Sequence, residues 1–307
     1  MNNTPPNGSL LINIRGADRG FFSLFLETLR KIAHANATGM LYHVVWPSTC
    51  AYTDQARQGD GTNPWLNYFG NTSPLIEDTN PKYVFPYFTH HKIWSRNHFR
   101  YLHRVAFDPV WRACTVIELI AKHVAVSDSE RVLGVHIRRT DHSIEVEPVP
   151  IEAYIAILNE RIARNGYTKL FVATDERAII DRLSESLNGV TLLLNDVYRS
   201  SDGGAVHMRS DGTNGFQLGV EALADVYCLS KCAEVVLCDS NLSYAVPIFN
   251  PNIQFTLLRY DRKNKNQSYN VFLFASSYVK HMLFMITHRK HGYWVNQWIY
   301  FIRKTNV

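Results

Sequence analysis

The stretch Val132-Leu133-Gly134-Val135-His136-Ile137 is an almost unbroken apolar run, and Arg138 and Arg139 follow it directly. A short apolar run without polar alternation is typical of a strand whose two faces are both buried. Residues just past the carboxyl end of such a strand point into the ligand crevice of a parallel sheet. The stretch therefore predicts a parallel α/β fold with cationic side chains at its binding edge.

Candidate strands and helices alternate on both sides of this run. The predicted strands cover residues 10–14, 40–46, 131–137, 169–173, 190–194 and 234–238, and the predicted helices cover residues 21–33, 93–105, 109–124, 150–163, 176–187 and 216–231, with a further helix after Ser243. This alternation predicts a doubly wound sheet. Residues 55–81 are rich in Gly, Asn, Thr and Pro and are predicted to be a loop.

A polar break at residues 126–130 divides the chain into two halves. We expect two Rossmann-like domains that face each other across a cleft. The predicted N-terminal domain covers residues 1–127 and is the acceptor-side domain. The donor-binding domain covers residues 128–260, and an aromatic and basic helical tail covers residues 261–307.

The composition is that of a globular protein. The 307 residues are 46% hydrophobic and 19% charged, which suffices for two cores. A net charge of +5 suits an anionic ligand but is too small to indicate a nucleic-acid partner. The polar residues 1–8 do not resemble a signal peptide, and no apolar run is long enough for a membrane span. We therefore expect a cytoplasmic protein whose five cysteines are reduced and bind no metal.

Arg138 and Arg139 predict an anion site. A guanidinium presents a planar fork of donors that matches phosphate oxygens, and neighbours on an extended chain point in different directions. We assign Arg138 to a diphosphate, whereas Arg139 is expected to pair with Asp141 or another carboxylate. The spacing alone leaves an alternative of equal weight, in which the segment is only a structural Arg–Asp pair.

Three further segments follow in order: a strand ending in Ala173-Thr174-Asp175, an apolar helix that carries Asp225, and a strand followed by a loop over residues 240–243. Together with the sequence His-Ile-Arg-Arg-Thr-Asp at residues 136–141, they resemble the fucosyltransferase superfamily that makes α1,2 and α1,6 links and protein O-fucose. The likeness is greatest to the α1,6 branch with the bacterial nodulation enzymes. It covers residues 130–250 and is loose before them.

The resemblance implies the GT-B fold, a GDP-β-L-fucose donor, inversion at the sugar carbon and no metal or other cofactor. It implies that Arg138 binds the β-phosphate, that His136 lies near the guanine, and that Asp225 accepts from guanine N1 and N2. It places Ser240 or Ser243 near the phosphates. Substrate contacts are also expected at Arg139, Asp141, Asp175, Gly16 and Gly20.

Several of these residues have simpler alternatives. Asp175 can be the cap of the helix that follows it. Gly16 and Gly20 can belong to a plain tight turn. Asp225 can be an exposed helix residue, although its apolar neighbours favour burial.

An inverting transfer needs a base for the acceptor hydroxyl. The loop after Asp141 offers His142, Glu145 and Glu147. Counting back from Pro150, Glu145 falls where the α1,6 branch has an acidic residue, and we predict that it is the base. His142 occupies the position where the α1,6 branch has a lysine, so the acceptor of this protein can differ from the acceptors of that branch.

Residues 278–304 alternate aromatic clusters with Lys and Arg. This pattern is typical of an amphipathic helix on an anionic membrane surface, and a helix that packs on the first domain is the slightly favoured alternative. The sequence thus predicts an enzyme that transfers fucose to a glycan acceptor in the synthesis of bacterial surface polysaccharide. If the tail lies on a membrane, this acceptor is expected to be lipid-linked. The alternatives are a transferase for another nucleotide sugar and a non-catalytic nucleotide- or glycan-binding protein.

Overall fold

The computed structural model describes residues 9–16, 18–37, 39–53, 62–70, 96–127, 130–139, 148–200 and 214–259. Within these ranges the strands form two sheets, and all their pairings are parallel, which confirms the predicted parallel α/β class. The smaller sheet pairs β1 (Ser9–Asn13) with β2 (Leu41–Val45). The larger has the order β5-β4-β3-β6-β7, with β3 (Leu133–Ile137), β4 (Lys169–Thr174), β5 (Thr191–Leu193), β6 (Glu234–Cys238) and β7 (Gln254–Leu258).

The helices of the described ranges are α1 (Phe21–Ala37), α2 (Trp65–Tyr68), α3 (Arg96–Leu102), a π-helical turn (His103–Phe107), α4 (Asp108–Arg112), α5 (Ile117–His123), α6 (Ile151–Asn165), α7 (Arg177–Ser186), α8 (Gly215–Lys231) and α9 (Asn241–Phe249). In this part of the chain, no helix combines the length and the apolar character that crossing a membrane requires.

The apolar run that begins at Val132 supplies β3, the central strand of the larger sheet, and all residues of β3 are buried. The chain builds β4 and β5 on one side of β3 and then crosses over to build β6 and β7 on the other. Loops therefore diverge beyond the carboxyl ends of β3 and β6, and such a switch point leaves a crevice for a ligand. The sequence prediction did not include β7.

The helix predicted over residues 109–124 is wrong as a single element. It is interrupted between Arg112 and Ile117 because this backbone pairs with the segment after α2. Gly70 N donates to Ala113 O, and Thr115 N donates to Tyr68 O, each at 2.9 Å. The loop predicted over residues 55–81 is also wrong in part, since Trp65–Tyr68 form helix α2. The side chains of Trp65 and Tyr68 are almost fully buried and anchor this helix in the core.

One hydrophobic core runs from α1 and β2 into α8, β6 and α9. At this junction two glycines of α8 face the first half of the chain. A Cβ on Gly219 would lie 2.2 Å from Tyr68 Oη, and a Cβ on Gly215 would lie 2.0 Å from Ala51 O. Tyr68 Oη is also within hydrogen-bond distance of Tyr52 O (2.9 Å) and Phe216 O (3.0 Å). The halves therefore meet in close contact, and the division into domains at residue 127 stays a prediction.

We expect Gly219→Ala to lower the free energy of unfolding by about 2 kcal/mol, because an extra methyl group would overpack a buried contact with the Tyr68 ring. Urea unfolding measures this change through the transition midpoint. Gly20→Ala is the matched control, since a Cβ there would meet its nearest neighbour, Tyr52 Oη, at an ordinary 3.9 Å. A Gly219→Ala protein that unfolds at the wild-type urea concentration would contradict this close packing.

Candidate functional site

A cleft opens at the carboxyl ends of β3 and β4. It encloses about 640 Å³ of space, open solvent at its mouth included. Four of the predicted site residues meet in it. The complete lining is Tyr52, His136, Arg138, Thr174, Asp175, Val197, Tyr198, Leu218, Glu221, Ala222, Asp225 and Leu242.

Arg138 and Asp175 stand side by side because they follow neighbouring strands, β3 and β4. Arg138 Nη1 lies 3.6 Å from Asp175 Oδ2, a loose ion pair rather than a close hydrogen bond. The other oxygen, Asp175 Oδ1, accepts from Arg139 N at 3.1 Å. Asp175 thus holds the backbone beyond β3 and orients the guanidinium, whose side chain is 26% exposed at the cleft. The ion-pair and anion-site interpretations of Arg138 are therefore compatible.

Arg139 has a different environment from Arg138. Its Nη1 donates to Val149 O at 3.2 Å, and Arg139 is not among the residues that line the cleft. The geometry indicates that Arg139 holds the end of the loop before α6. Asp141 and Glu145 lie outside the described residues, so their assigned roles stay predictions.

His136 is buried at the back of the cleft. Its Nδ1 lies 2.7 Å from Ser243 Oγ, 3.4 Å from Ser240 Oγ and 3.5 Å from Cys238 Sγ. The pKa of His136 is lowered to about 4, because burial and the nearby Arg138 outweigh the opposing effect of the Asp175 and Asp225 carboxylates. The ring is therefore neutral at neutral pH and presents an uncharged polar edge to the cleft.

Ser240 and Ser243 lie behind His136 and do not line the cleft. Ser240 is the N-cap of α9, and its Oγ accepts from Ser243 N at 3.2 Å. The hydroxyl group of Ser243 contacts the His136 ring. These contacts give both serines structural roles, and their contact with phosphates stays a prediction. From the first turn of α9, Leu242 lines the cleft.

Asp225 lies in α8 and is 9% exposed. Its Oδ1 accepts from Asn195 Nδ2 at 2.9 Å. The pKa of Asp225 is raised to about 6, because burial outweighs the lowering effects of Arg199, Asn195 and His136. The carboxylate is therefore mostly ionised at neutral pH in a poorly solvated place, where a ligand with N–H donors would be strongly favoured.

Glu221 was not predicted as a site residue. It lies one turn before Asp225 on the same face of α8 and also lines the cleft. Its Oε2 accepts from Tyr198 N, and its Oε1 accepts from Gln217 Nε2, each at 3.2 Å. Its spacing of four residues from Asp225 is the sequence signal that could have found it.

Three further residues near the cleft belong to no sequence motif. Tyr52 lines the cleft, and Asn195 and Arg199 lie close to the Asp225 carboxylate. Arg199 Nη2 donates to Asn195 O at 3.0 Å, and burial lowers the pKa of the Arg199 guanidinium. Tyr52 comes from the first half of the chain, so both halves contribute to the lining.

Gly16 and Gly20 do not line this cleft. Gly16 lies in a second pocket at the carboxyl ends of β1 and β2, together with Trp46 and Ser48. Its φ of +95° favours glycine, and the turn is held where Arg19 Nη1 donates to Arg15 O at 3.0 Å. Gly20 O accepts from Ser23 N at 2.9 Å at the start of α1. The tight-turn alternative accounts for these contacts.

The described ranges contain no cluster of three His, Cys, Asp or Glu side chains that could hold a metal ion. Cys228 in α8 and Cys232, the residue that follows the end of α8, are both buried free thiols.

Comparison with known proteins finds likeness only among solved structures. No protein-family model matches the chain, and no curated protein does. NodZ alpha-1,6-fucosyltransferase soaked with GDP-fucose has a TM-score of 0.47 at 14% identity, over 85% of this chain and 97% of that one. Fucosyltransferase NodZ from Bradyrhizobium has a TM-score of 0.46 at 17% identity, over 82% and 95%. POFUT1 in complex with GDP has a TM-score of 0.46 at 12% identity, over 83% and 99%.

The names of these structures agree with the family that the sequence motifs resemble. At such identities and TM-scores they assign no role to any residue of this chain. The function has to be inferred from the cleft itself.

Proposed function

We propose that this chain is an inverting fucosyltransferase that moves L-fucose from GDP-fucose to a glycan acceptor without a metal ion. The observation that carries the proposal is the meeting of Arg138 and Asp225, from two different elements, in one cleft at the carboxyl edge of the sheet. A cation and a buried carboxylate in one crevice match the two ends of GDP, which are a diphosphate and a base with exposed N–H donors.

The Asp225 carboxylate suits the base end. Guanine presents two adjacent donors, N1–H and the N2 amino group, and one carboxylate can accept from both. Adenine and uracil do not offer this pair, so the same carboxylate would leave them badly matched. His136 adds a neutral polar edge in the same part of the cleft.

Arg138 suits the leaving group. As the bond between fucose and the β-phosphate breaks, negative charge grows on the phosphate oxygens. A guanidinium already oriented by Asp175 can stabilise that charge with paired hydrogen bonds and little rearrangement. The first turn of α9 points its partial positive charge toward the same edge of the sheet, where Leu242 lines the cleft.

The remaining parts of the proposal lie outside the described residues. Glu145 would remove the proton of the acceptor hydroxyl as it attacks the sugar from the face opposite the diphosphate. Residues 278–304 would make a peripheral contact with the inner face of a bacterial membrane, where a lipid-linked acceptor for surface polysaccharide is presented. The motif resemblance supports the role of Glu145, and the alternation of aromatic and basic residues supports the membrane contact of residues 278–304.

A screen of nucleotide sugars tests the proposed reaction. The purified protein is incubated with GDP-fucose, GDP-mannose and UDP-glucose, with and without EDTA, and release of the nucleotide is measured before and after glycan acceptors are added. We expect release from GDP-fucose above all, undiminished by EDTA. Preference for UDP-glucose would indicate another transferase, and binding of GDP-fucose without release under any condition would indicate a binding protein.

The affinity for GDP-fucose is expected to fall in acid. Because the pKa of Asp225 is about 6 in the free protein, the carboxylate that accepts from guanine is lost as the pH falls through that value. The dissociation constant should then rise about tenfold between pH 7.5 and pH 5. GDP-fucose is the right probe, because its esterified β-phosphate does not titrate in this range as the terminal phosphate of GDP does.

Calorimetric titration at several pH values measures this dependence. Asp225→Asn is the control, and its weak residual binding should not vary with pH. His136 should contribute little, because its pKa of about 4 lies below the range. Affinity in the wild-type protein that is constant down to pH 5 would contradict the assignment of Asp225 to the base.

A further inference from the structure

Asn195 is almost completely buried behind the cleft, two residues past the end of β5, and is 2% exposed. Its side chain connects three parts of the fold. Asn195 Oδ1 accepts from Ala125 N at 3.1 Å and from Cys228 Sγ at 3.2 Å, and Asn195 Nδ2 donates to Asp225 Oδ1 at 2.9 Å. It thus links the loop before β3, helix α8 and the loop after β5.

These contacts settle which way the amide points. A backbone N–H can only donate, so the atom that faces Ala125 N must be the oxygen. The amide nitrogen of Asn195, Nδ2, therefore faces Asp225 and donates to it. An N–H donor binds an ionised carboxylate more strongly than a neutral carboxyl group, so the hydrogen bond from Asn195 favours the charged form of Asp225.

We propose that Asn195 is a positioning residue for base recognition: it holds Asp225 by Oδ1, so that the remaining oxygen and lone pairs of the carboxylate face the cleft in the orientation that a guanine edge requires. The proposal rests on the proposed function, since it deepens the role of Asp225. Asn195 does not line the cleft and is not expected to touch the nucleotide.

The other charged neighbours of Asp225 do not fix its orientation in the same way. Arg199 and His136 favour its ionised form and Glu221 disfavours it, but these effects act through space. Within the described part of the chain, Asn195 is the residue that donates a hydrogen bond to the Asp225 carboxylate. Two nitrogens of the Arg199 guanidinium are directed to backbone carbonyls, since Nη2 donates to Asn195 O and Nη1 donates to Val197 O.

The test is the pH dependence of GDP-fucose binding in Asn195→Ala and Asn195→Asp, measured by calorimetric titration from about pH 5 to about pH 8. Loss of one hydrogen bond to the carboxylate should raise the pH midpoint of binding by on the order of one unit in Asn195→Ala. Asn195→Asp keeps the size of the side chain and its hydrogen bond from Ala125 N. It therefore tests the positioning role even if the Asn195→Ala variant does not fold. It should raise the midpoint further, because two carboxyl groups would then share one site.

Asn165→Ala is the matched control, because Asn165 Nδ2 donates to Glu234 Oε2 at 3.1 Å, an equivalent bond that lies away from the cleft at the amino end of β6. Its binding midpoint should equal that of the wild-type protein. A role of Asn195 in stability alone would weaken binding equally at all pH values without moving the midpoint, and that result would overturn the proposal.

Failure of this inference differs from failure of the proposed function. If wild-type protein does not bind GDP-fucose, the proposed function fails. If it binds with a pH dependence that Asp225→Asn removes and both Asn195 variants leave in place, only the positioning role of Asn195 is refuted.

Discussion

Arg138→Lys is expected to reduce the turnover of GDP-fucose by about 10²- to 10³-fold, the range found when one preorganised donor is removed from a developing negative charge. Lysine keeps the positive charge but concentrates it on one ammonium nitrogen, which cannot make the paired, coplanar hydrogen bonds of a guanidinium. It would also lose the orienting contact in which Arg138 Nη1 faces Asp175 Oδ2. The measurement is the steady-state rate of nucleotide release, with kcat and KM determined separately.

Arg131→Lys is the matched control for this substitution. Arg131 lies before the other end of β3, where its Nη1 donates to Asn165 O at 2.7 Å and its guanidinium lies over the Tyr167 ring. Its loss should alter stability slightly and turnover hardly at all. If Arg138→Lys turns over GDP-fucose at the wild-type rate, the β-phosphate does not depend on Arg138 and the assignment is wrong.

Asp225→Asn is expected to weaken GDP binding by at least about 100-fold and to abolish the preference for guanine. The substituted amide would turn an amino group or a single oxygen toward two guanine donors, so at least one donor would lose its acceptor in a buried place. Binding of GDP, ADP and UDP to the wild-type and variant proteins measures both effects. Asp108→Asn, which removes a surface carboxylate paired with Arg112, is the control and should change neither.

Misfolding is not expected to explain the loss in Asp225→Asn. Burial raises the pKa of Asp225 in the folded protein to about 6, above its ordinary value, so its ionised form costs the folded state stability. That cost is largest above about pH 6, decreases as the pH falls below this value, and is gone only below the ordinary pKa of an aspartate, 3.8. At pH 7.5 the neutral variant should therefore be at least as stable as the wild-type protein, and urea unfolding measures this. A variant that is much less stable would mean that Asp225 has a structural role.

Much of the large sheet could be predicted from the sequence because its strands are short apolar runs with clear breaks. The runs at residues 131–137, 169–173 and 234–238 became β3, β4 and β6 within two residues. β7 was missed although it follows α9, because its five residues, Gln254 to Leu258, include two polar side chains and so form no continuous apolar run. The break between α4 and α5 was missed because only tertiary pairing with residues 68–70 interrupts the helix.

The candidate site divides in a similar way. Arg138, Asp175 and His136 lie at strand ends, so the position of each in the cleft follows from the order of strands in a parallel sheet. Asp225 could be found because a buried helix does not tolerate an unpartnered carboxylate. Asn195 and Tyr52 reach this region only through tertiary packing, and nothing in their sequence neighbourhoods marks them.

A crystal structure of the protein with GDP-fucose or GDP bound tests the central claim most directly. We predict that the nucleotide lies in the cleft at the carboxyl ends of β3 and β4, with guanine N1 and N2 within hydrogen-bond distance of the Asp225 carboxylate and the β-phosphate on the Arg138 guanidinium. A nucleotide bound in the pocket beside Gly16, or with its base and phosphates in exchanged places, would contradict it.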